Sequence, residues 1–222
     1  MKKLYLFCLF TIISFSLSCC GTANGNSNNS SDISSASSSL QISENTDQES
    51  ISSINSEKND TTILVAYFSA TGTTKPIAET IANITGADLY EIIPTQPYTN
   101  EDLNYKNDNC RANQEQNNSS FRTEIEGSIA NMNDYDIVFI GHPIWWGEEP
   151  RIIDTFVESY DLSGKTIIDF CTSGGSDISI SEKNLKELCP SDVTWLKGKR
   201  FKSNTNSDEI SEWINSLNIE TK

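Results

Sequence analysis

The chain has 222 residues and a formal net charge of −15, because 31 acidic side chains outnumber 16 basic ones. Phosphate backbones repel an acidic chain, so this balance argues against nucleic-acid binding and favours solubility or a basic partner surface. The length allows one or two folded domains.

Residues 1–18 have the pattern of a secretory signal peptide. Lys2 and Lys3 precede an apolar run that is too short for a stable membrane span. The segment ends in Ser18 followed by two cysteines, which resembles a bacterial lipobox, and Cys19 is therefore predicted to carry a lipid. Lipidation at Cys20 and an ordinary cleaved signal with incidental cysteines are the alternatives.

Residues 19–60 are dominated by Ser and Asn and show no sustained hydrophobic period. Such a segment buries too little apolar surface to offset its ordering entropy, so it is predicted to be a disordered tether. Anchored at Cys19, it would hold a folded domain of residues 61–222 away from a membrane surface on the extracytoplasmic side.

The folded part opens with an apolar strand, a turn rich in hydroxyl groups and an amphipathic helix. Residues 63–68 form a continuous apolar run, which predicts a parallel strand covered on both faces, and residues 77–84 have apolar positions at helical spacing. The turn between them consists of Ser69, Ala70, Thr71, Gly72, Thr73 and Thr74. Hydroxyl donors at a helix N-terminus suit a phosphate, and the patterns of nucleotide-triphosphate and dinucleotide loops are both missing here. An ordinary turn capped by Thr is the alternative.

Two further apolar strands are predicted at 136–141 and 166–170, and each runs into a distinctive loop. The first loop holds Pro143, Ile144, Trp145, Trp146 and Gly147, and the second holds Thr172, Ser173, Gly174, Gly175 and Ser176. Neighbouring tryptophan side chains diverge, so at least one is expected to face a groove where a flat ring could stack on it. The paired glycines let the backbone approach a ligand closely.

The remaining segments complete an alternation of strands and helices. Strands are predicted at 87–93 and 193–196, helices at 121–132, 150–160, 177–188 and 208–217, and a long polar loop at 95–120. That loop is either a flap near a ligand or a mobile insertion. The alternation predicts a doubly wound α/β fold, in which ligands bind beyond the carboxyl ends of the strands. The three loops after strand ends should therefore converge on one site.

With these three loops, residues 61–219 resemble a flavodoxin-like domain of the lipoprotein-associated bacterial branch. The resemblance rests on S-A-T-G-T-T at 69–74, P-I-W-W-G at 143–147 and T-S-G-G-S at 172–176. It implies a five-stranded parallel sheet of order 2-1-3-4-5 with helices on both faces and FMN at the switch point, the arrangement known from flavodoxin itself. It also implies that Thr71, Thr73, Thr74 and Ser69 hold the phosphate, that Trp145 or Trp146 stacks on the ring, and that residues 173–176 contact its polar edge.

The function implied by this resemblance is electron transfer by a flavoprotein on the outer face of a bacterial membrane, with redox protein partners of unknown identity. An acidic surface near the ring is expected to lower the flavin potential. The alternatives are an FMN-dependent NAD(P)H quinone or nitro reductase, and a lipoprotein binding module without flavin.

No pattern for hydrolysis or metal binding is present in the sequence. Cys110, Cys171 and Cys189 have no C-x-x-C spacing, so they predict neither a zinc site nor a complete disulfide framework. One disulfide between two of them is an open alternative that the spacing does not select. His142 and Cys171 depart from the family pattern, and buried structural roles are favoured over redox roles for both.

Overall fold

The computed structural model describes residues 61–220. The predicted signal peptide, the lipid anchor at Cys19 and the tether lie outside these residues, so the division of the chain at residues 18 and 60 stays a prediction. Within residues 61–220, no helix is both long and apolar enough to cross a membrane.

A parallel sheet forms the centre of the domain. The strands of the domain are β1 Ile63–Tyr67, β2 Asp88–Glu91, β3 Ile93–Pro94, β4 Ile125–Glu126, β5 Ile137–Pro143, β6 Thr166–Thr172, β7 Thr194–Trp195 and β8 Lys199–Phe201. The main sheet has the order β2-β1-β5-β6-β7, with β8 also paired to β6, and every pairing in it is parallel. β1, β5 and β6 are almost wholly buried because they are apolar on both faces.

The predicted strand order is confirmed, and the fifth position of the sheet is divided between two short strands. β7 pairs with the beginning of β6, and β8 pairs with its end. Gly198 lies between them, where an added Cβ would come within 2.6 Å of the Asp169 carbonyl oxygen. The sequence predicted a strand at 193–196 and missed β8, because Lys199 and Arg200 mask the strand character of that run.

Helices cover both faces of the sheet, as predicted. They are α1 Lys75–Thr85, α2 Arg111–Gln116, α3 Arg151–Glu158, α4 Ser179–Leu188 and α5 Ser207–Ser216. α1 and α5 contribute Ile77, Ile81 and Trp213 to one apolar cluster, while α3 and α4 contribute Phe156 and Leu185 to the other. The sheet therefore has a separate hydrophobic core on each face.

The predicted helix at 121–132 is wrong. That segment forms β4, which pairs antiparallel with β3, and a short 3-10 turn at Met132–Asp134. Gly127, with φ of +77°, interrupts any helix, and the pairing of Ile125 with Pro94 satisfies the backbone instead. The neighbouring loop, predicted to lack secondary structure, contains α2.

Candidate functional site

A groove with a volume of about 500 Å³ opens at the carboxyl edge of the sheet. Its walls come from the segments that follow β1, β5, β6 and β8, and from Tyr105 in the long connection between β3 and β4. The lining residues are Ala70, Thr71, Thr73, Tyr105, Pro143, Ile144, Trp145, Thr172, Ser173, Gly174, Lys202, Ser203 and Asn204. The three predicted loops therefore do meet at one place.

Some of the predicted site residues do not line this groove. They are Ser69, Gly72, Thr74, Trp146, Gly147, Gly175 and Ser176. Pro143 and Thr172, predicted as loop residues, are the last residues of β5 and β6. Contact between any of the predicted residues and a cofactor stays a prediction.

Two hydroxyls of the first loop have structural partners. Ser69 Oγ accepts hydrogen bonds from the amides of Thr74 and Lys75, at 3.1 and 3.3 Å, and so caps the start of α1. Thr74 is buried, and its Oγ1 lies 2.8 Å from Oγ1 of Thr172 on β6. The Ser69 contacts fix the turn to the start of α1, and the Thr74 contact holds it against the end of β6.

The rest of the first loop presents donors to the groove. Thr71 and Thr73 share a hydrogen bond of 3.2 Å between their hydroxyls and both line the groove. The amides of residues 71–73 donate to no other described residue. Gly72 adopts a φ of +78° with open space around it, so the backbone of this turn is accessible. Neutral donors beside the N-terminus of α1 fit a phosphate group.

The opposite end of the groove is aromatic. Trp145 is only 5% exposed and packs edge-on against Phe68, Tyr98 and Tyr105, with ring centroids 5.7, 5.2 and 6.2 Å away. Trp146 is 66% exposed and has a φ of +53°, an uncommon conformation for a bulky residue. The expected divergence of the two tryptophans is confirmed: Trp145 lines the main groove, and Trp146 lines a neighbouring cavity of about 270 Å³.

Asn113, which the sequence did not single out, supports this aromatic end. It is buried on α2, its Oδ1 accepts a 2.8 Å hydrogen bond from Trp146 Nε1, and its Nδ2 donates to the carbonyls of Tyr105 and Asn107. One amide thus holds the indole ring of Trp146 and the backbone at Tyr105. Tyr105 of the 95–120 segment lines the groove, so this segment borders the candidate site, and its role as a flap stays a prediction.

The groove and the whole chain differ in charge. Lys202 lies in the groove wall and no carboxylate does, among the described residues, although the whole chain is acidic. The expected lowering of the flavin potential stays a prediction. Lys202 was missed because it follows β8, a strand that the sequence did not reveal.

The structure favours structural roles for His142 and Cys171. Both are fully buried, and burial, followed by the nearby Asp169 carboxylate, raises the pKa of the Cys171 thiol well above its usual value. Such a thiol is unreactive. Cys110, Cys171 and Cys189 are free, so the open question of a disulfide among them is answered in the negative. In residues 61–220 no cluster of His, Cys, Asp and Glu has the arrangement of a metal site.

A parallel sheet with helices on both faces and a groove at its carboxyl edge defines a doubly wound α/β protein. The sequence profile of the flavodoxin family matches residues 62–217. The chain belongs to the flavodoxin family.

Solved structures agree with this assignment. A protein from Bacteroides eggerthii DSM 20697, provisionally named a flavoprotein, is 44% identical, with a TM-score of 0.67 over 72% of this chain and 99% of its own. A similarly named protein from Bacteroides uniformis ATCC 8492 is 39% identical, with a TM-score of 0.67 over 70% of this chain and 98% of its own. A flavoprotein from Lactobacillus acidophilus NCFM, solved in complex with FMN, is 25% identical, with a TM-score of 0.53 over 69% of this chain and 99% of its own. No protein with a curated function matches the sequence.

Proposed function

We propose that this protein binds FMN in the groove and transfers electrons as a flavoprotein tethered to the outer face of a bacterial membrane. The observation that carries the proposal is the polarity of the groove. Hydroxyl and amide donors lie at one end, beside the N-terminus of α1, and aromatic side chains lie at the other. FMN has the same polarity, with a phosphate at one end and a flat ring at the other.

The residues of the chain supply binding and orientation. Thr71 and Thr73, with the loop amides, would hold the phosphate, while Trp145 and Ile144 would cover one face of the ring and Ser173 and Gly174 would contact its edge. Bound FMN supplies the redox chemistry, and the protein determines where the ring lies and what surrounds it. Lys202 would place a positive charge beside the ligand, where it favours an anionic group.

The family assignment supports FMN as the cofactor. The relative from Lactobacillus acidophilus was solved with FMN and covers the same domain. The membrane location rests on Cys19 and on the composition of residues 19–60. Replacing Cys19 with Ser should release the full chain from the membrane fraction, and retention of the variant in that fraction would contradict the anchor.

A second function is favoured by one specific observation. The cavity of about 270 Å³ beside the groove is lined by Tyr105, Ile144, Trp145 and Trp146, without a charged residue. It would accept a flat uncharged molecule such as a quinone or a nitroaromatic compound. The protein would then be an FMN-dependent reductase with a nicotinamide donor.

Titration of the full chain with FMN, followed by its visible spectrum, tests the proposal. Tight binding with a perturbed flavin band is expected. A protein that stays colourless after reconstitution would contradict FMN binding and favour a binding module without flavin. Stopped-flow mixing with NADH and NADPH separates the two redox functions, because rapid flavin reduction would favour the reductase over an electron carrier that needs a protein donor.

A further inference from the structure

A fully buried polar cluster lies behind the groove. His142 on β5, Asp169 on β6 and Ser181 on α4 are each 0% exposed. His142 Nε2 lies 2.9 Å from Asp169 Oδ1 and 2.9 Å from Ser181 Oγ, and the Ser181 hydroxyl donates to Asp169 Oδ2 at 3.2 Å. Sequence patterns did not reveal this cluster, because its members are separated along the chain.

The three residue types match a hydrolytic triad, but their geometry does not. In a triad, serine and aspartate contact opposite nitrogens of the imidazole. Here Ser181 and Asp169 both contact Nε2, and Ser181 has no exposed surface for a substrate. The cluster is therefore not a hydrolase site.

The hydrogen bonds around His142 identify its charge state. Nδ1 lies 3.0 Å from the Pro143 carbonyl oxygen, which can only accept a hydrogen bond. Nε2 faces the Asp169 carboxylate, and the Ser181 hydroxyl donates its hydrogen bond to the same carboxylate. Both contacts are satisfied together when each ring nitrogen carries a proton, which is the imidazolium form. The competing arrangement is a neutral ring beside a protonated Asp169.

The surroundings support a charged ring. Burial alone would lower the pKa of His142, but the Asp169 carboxylate and the hydrogen bonds to Asp169 and Pro143 raise it above its usual value. Cys171 on β6 lies opposite His142 on β5 in the strand register, and its raised pKa keeps it a neutral thiol. Glu149 raises the pKa of His142 further in its ionised form, which its own raised pKa of about 8 confines to pH values near 8 and above.

The Pro143 carbonyl lies where β5 leaves the sheet and becomes the aromatic loop of the groove. Pro143 itself lines the groove, and the next amide, of Ile144, donates to the Thr172 carbonyl at 3.0 Å. The direction in which this loop departs therefore depends on how the Pro143 peptide is held. His142 holds it from behind.

We propose that His142 is a positioning residue, kept as an imidazolium by Asp169, and that it orients the Pro143 carbonyl and hence the loop of residues 143–147. A hydrogen bond from a charged donor is stronger than one from a neutral donor, so the ion pair fixes the loop more firmly than a neutral ring would. The role in ligand binding rests on the proposed FMN function, whereas the charge state and the loop position do not.

The charge state can be measured directly, because His142 is the only histidine in the chain. The full chain, purified without a histidine tag and labelled with ¹⁵N-histidine, should show two protonated ring nitrogens by NMR between pH 6 and 8. In the near-isosteric variant Asp169→Asn, the ring should lose one proton at pH 8. A neutral ring in the unaltered protein would overturn the proposal.

The positioning role is tested by His142→Gln, which can still reach Asp169 but loses the donor to Pro143. Ser181→Ala is the matched control, because it removes a buried hydrogen bond of the same cluster and leaves the contact with Pro143 intact. In His142→Gln the indole N–H signals of Trp145 and Trp146 should shift, while those of Trp195 and Trp213 should not. The dissociation constant for FMN should rise at least tenfold in His142→Gln and less than threefold in Ser181→Ala.

The outcomes separate the two hypotheses. Unshifted indole signals in His142→Gln, or equal losses of FMN affinity in the two variants, would contradict the positioning role. If the unaltered protein does not bind FMN, the proposed function fails, and the ring-nitrogen and indole signals still decide the role of His142. If His142→Gln does not fold, the labelled unaltered protein still decides the charge state, and a neutral ring there would still overturn the proposal.

Discussion

The two ends of the groove are built in different ways. The hydroxyl end comes from the short turn directly after β1, and Thr71 and Thr73 lie only a few residues beyond that strand. The aromatic end needs Tyr105 and Asn113, and Asn113 bonds to Trp146 from 33 residues away along the chain. The polar end is thus a local consequence of strand and turn, whereas the aromatic end depends on how a long connection packs.

The largest expected effect is at the hydroxyl end. Replacing Thr71 and Thr73 together with Val keeps the side-chain shape and removes both hydroxyl donors. Each hydrogen bond to a charged group contributes about 1.5–3 kcal/mol, so FMN should bind at least about 100-fold more weakly. Isothermal titration calorimetry measures this change.

Riboflavin, which lacks the phosphate, is the control ligand for this variant. Its affinity should be unchanged, so the preference for FMN over riboflavin should collapse. Equal losses for both ligands would show that the hydroxyl end does not recognise a phosphate.

Gly141→Ala should disturb the packing of β5 against β6 beneath the groove. An added Cβ would lie 2.1 Å from Cζ of the buried Phe170 ring on the neighbouring strand. Overpacking of this kind costs about 1–3 kcal/mol of unfolding free energy, which urea denaturation measures. Gly174→Ala is the matched control, because nothing lies within 4 Å of its added Cβ, and its stability should be unchanged. Equal stabilities of the two variants would contradict the packing of Phe170 on Gly141.

Asn113→Ala should loosen the aromatic end alone. The variant removes the hydrogen bonds that this buried amide makes to Trp146, Tyr105 and Asn107, so it should lose about 1–2 kcal/mol of stability and shift the tryptophan fluorescence. The control is Asn118→Ala, since Asn118 is exposed and its side chain caps only the local turn at Ser120. A loss of phosphate discrimination in Asn113→Ala would show that the two ends are not independent.

The smallest expected effect is a pH-dependent one behind the aromatic end. Burial, together with the neighbouring Asp154 carboxylate, raises the pKa of Glu149 to about 8 from its ordinary value of 4.5. The folded chain therefore keeps a proton that the unfolded chain has released, and this contribution to stability is full below pH 4.5 and is lost as the pH rises through about 8.

Glu149→Gln removes this dependence because glutamine does not ionise. The variant should match the unaltered protein at pH 5 and exceed its unfolding free energy at pH 9 by about 1 kcal/mol or more, the equivalent of roughly one pKa unit. Glu101→Gln makes the same charge change at an exposed position and should show no such gain. If Glu149→Gln and the unaltered protein had equal unfolding free energies at pH 9 as well as at pH 5, the raised pKa of Glu149 would be contradicted.

The sequence predicted most of the sheet and only part of the site. β1, β5 and β6 were evident because each is a continuous apolar run, and the loops after them reach the groove as expected. β8 was missed because two of its three residues are charged, and Lys202, Ser203 and Asn204 were missed with it. The helix predicted at 121–132 failed because pairing between β3 and β4 overrode local propensity.

The sequence by itself determined the buried strands β1, β5 and β6 and the hydroxyl-rich turn after β1, since apolar periodicity and turn chemistry are local properties of the chain. The strand order came from the resemblance to flavodoxin-like domains. Only the tertiary structure decided which hydroxyls face the groove, because the Ser69 hydroxyl bonds to the start of α1 and the Thr74 hydroxyl bonds to Thr172 on β6. It also decided that His142, Asp169 and Ser181 meet. Contacts between distant segments depend on packing, and no local pattern encodes them.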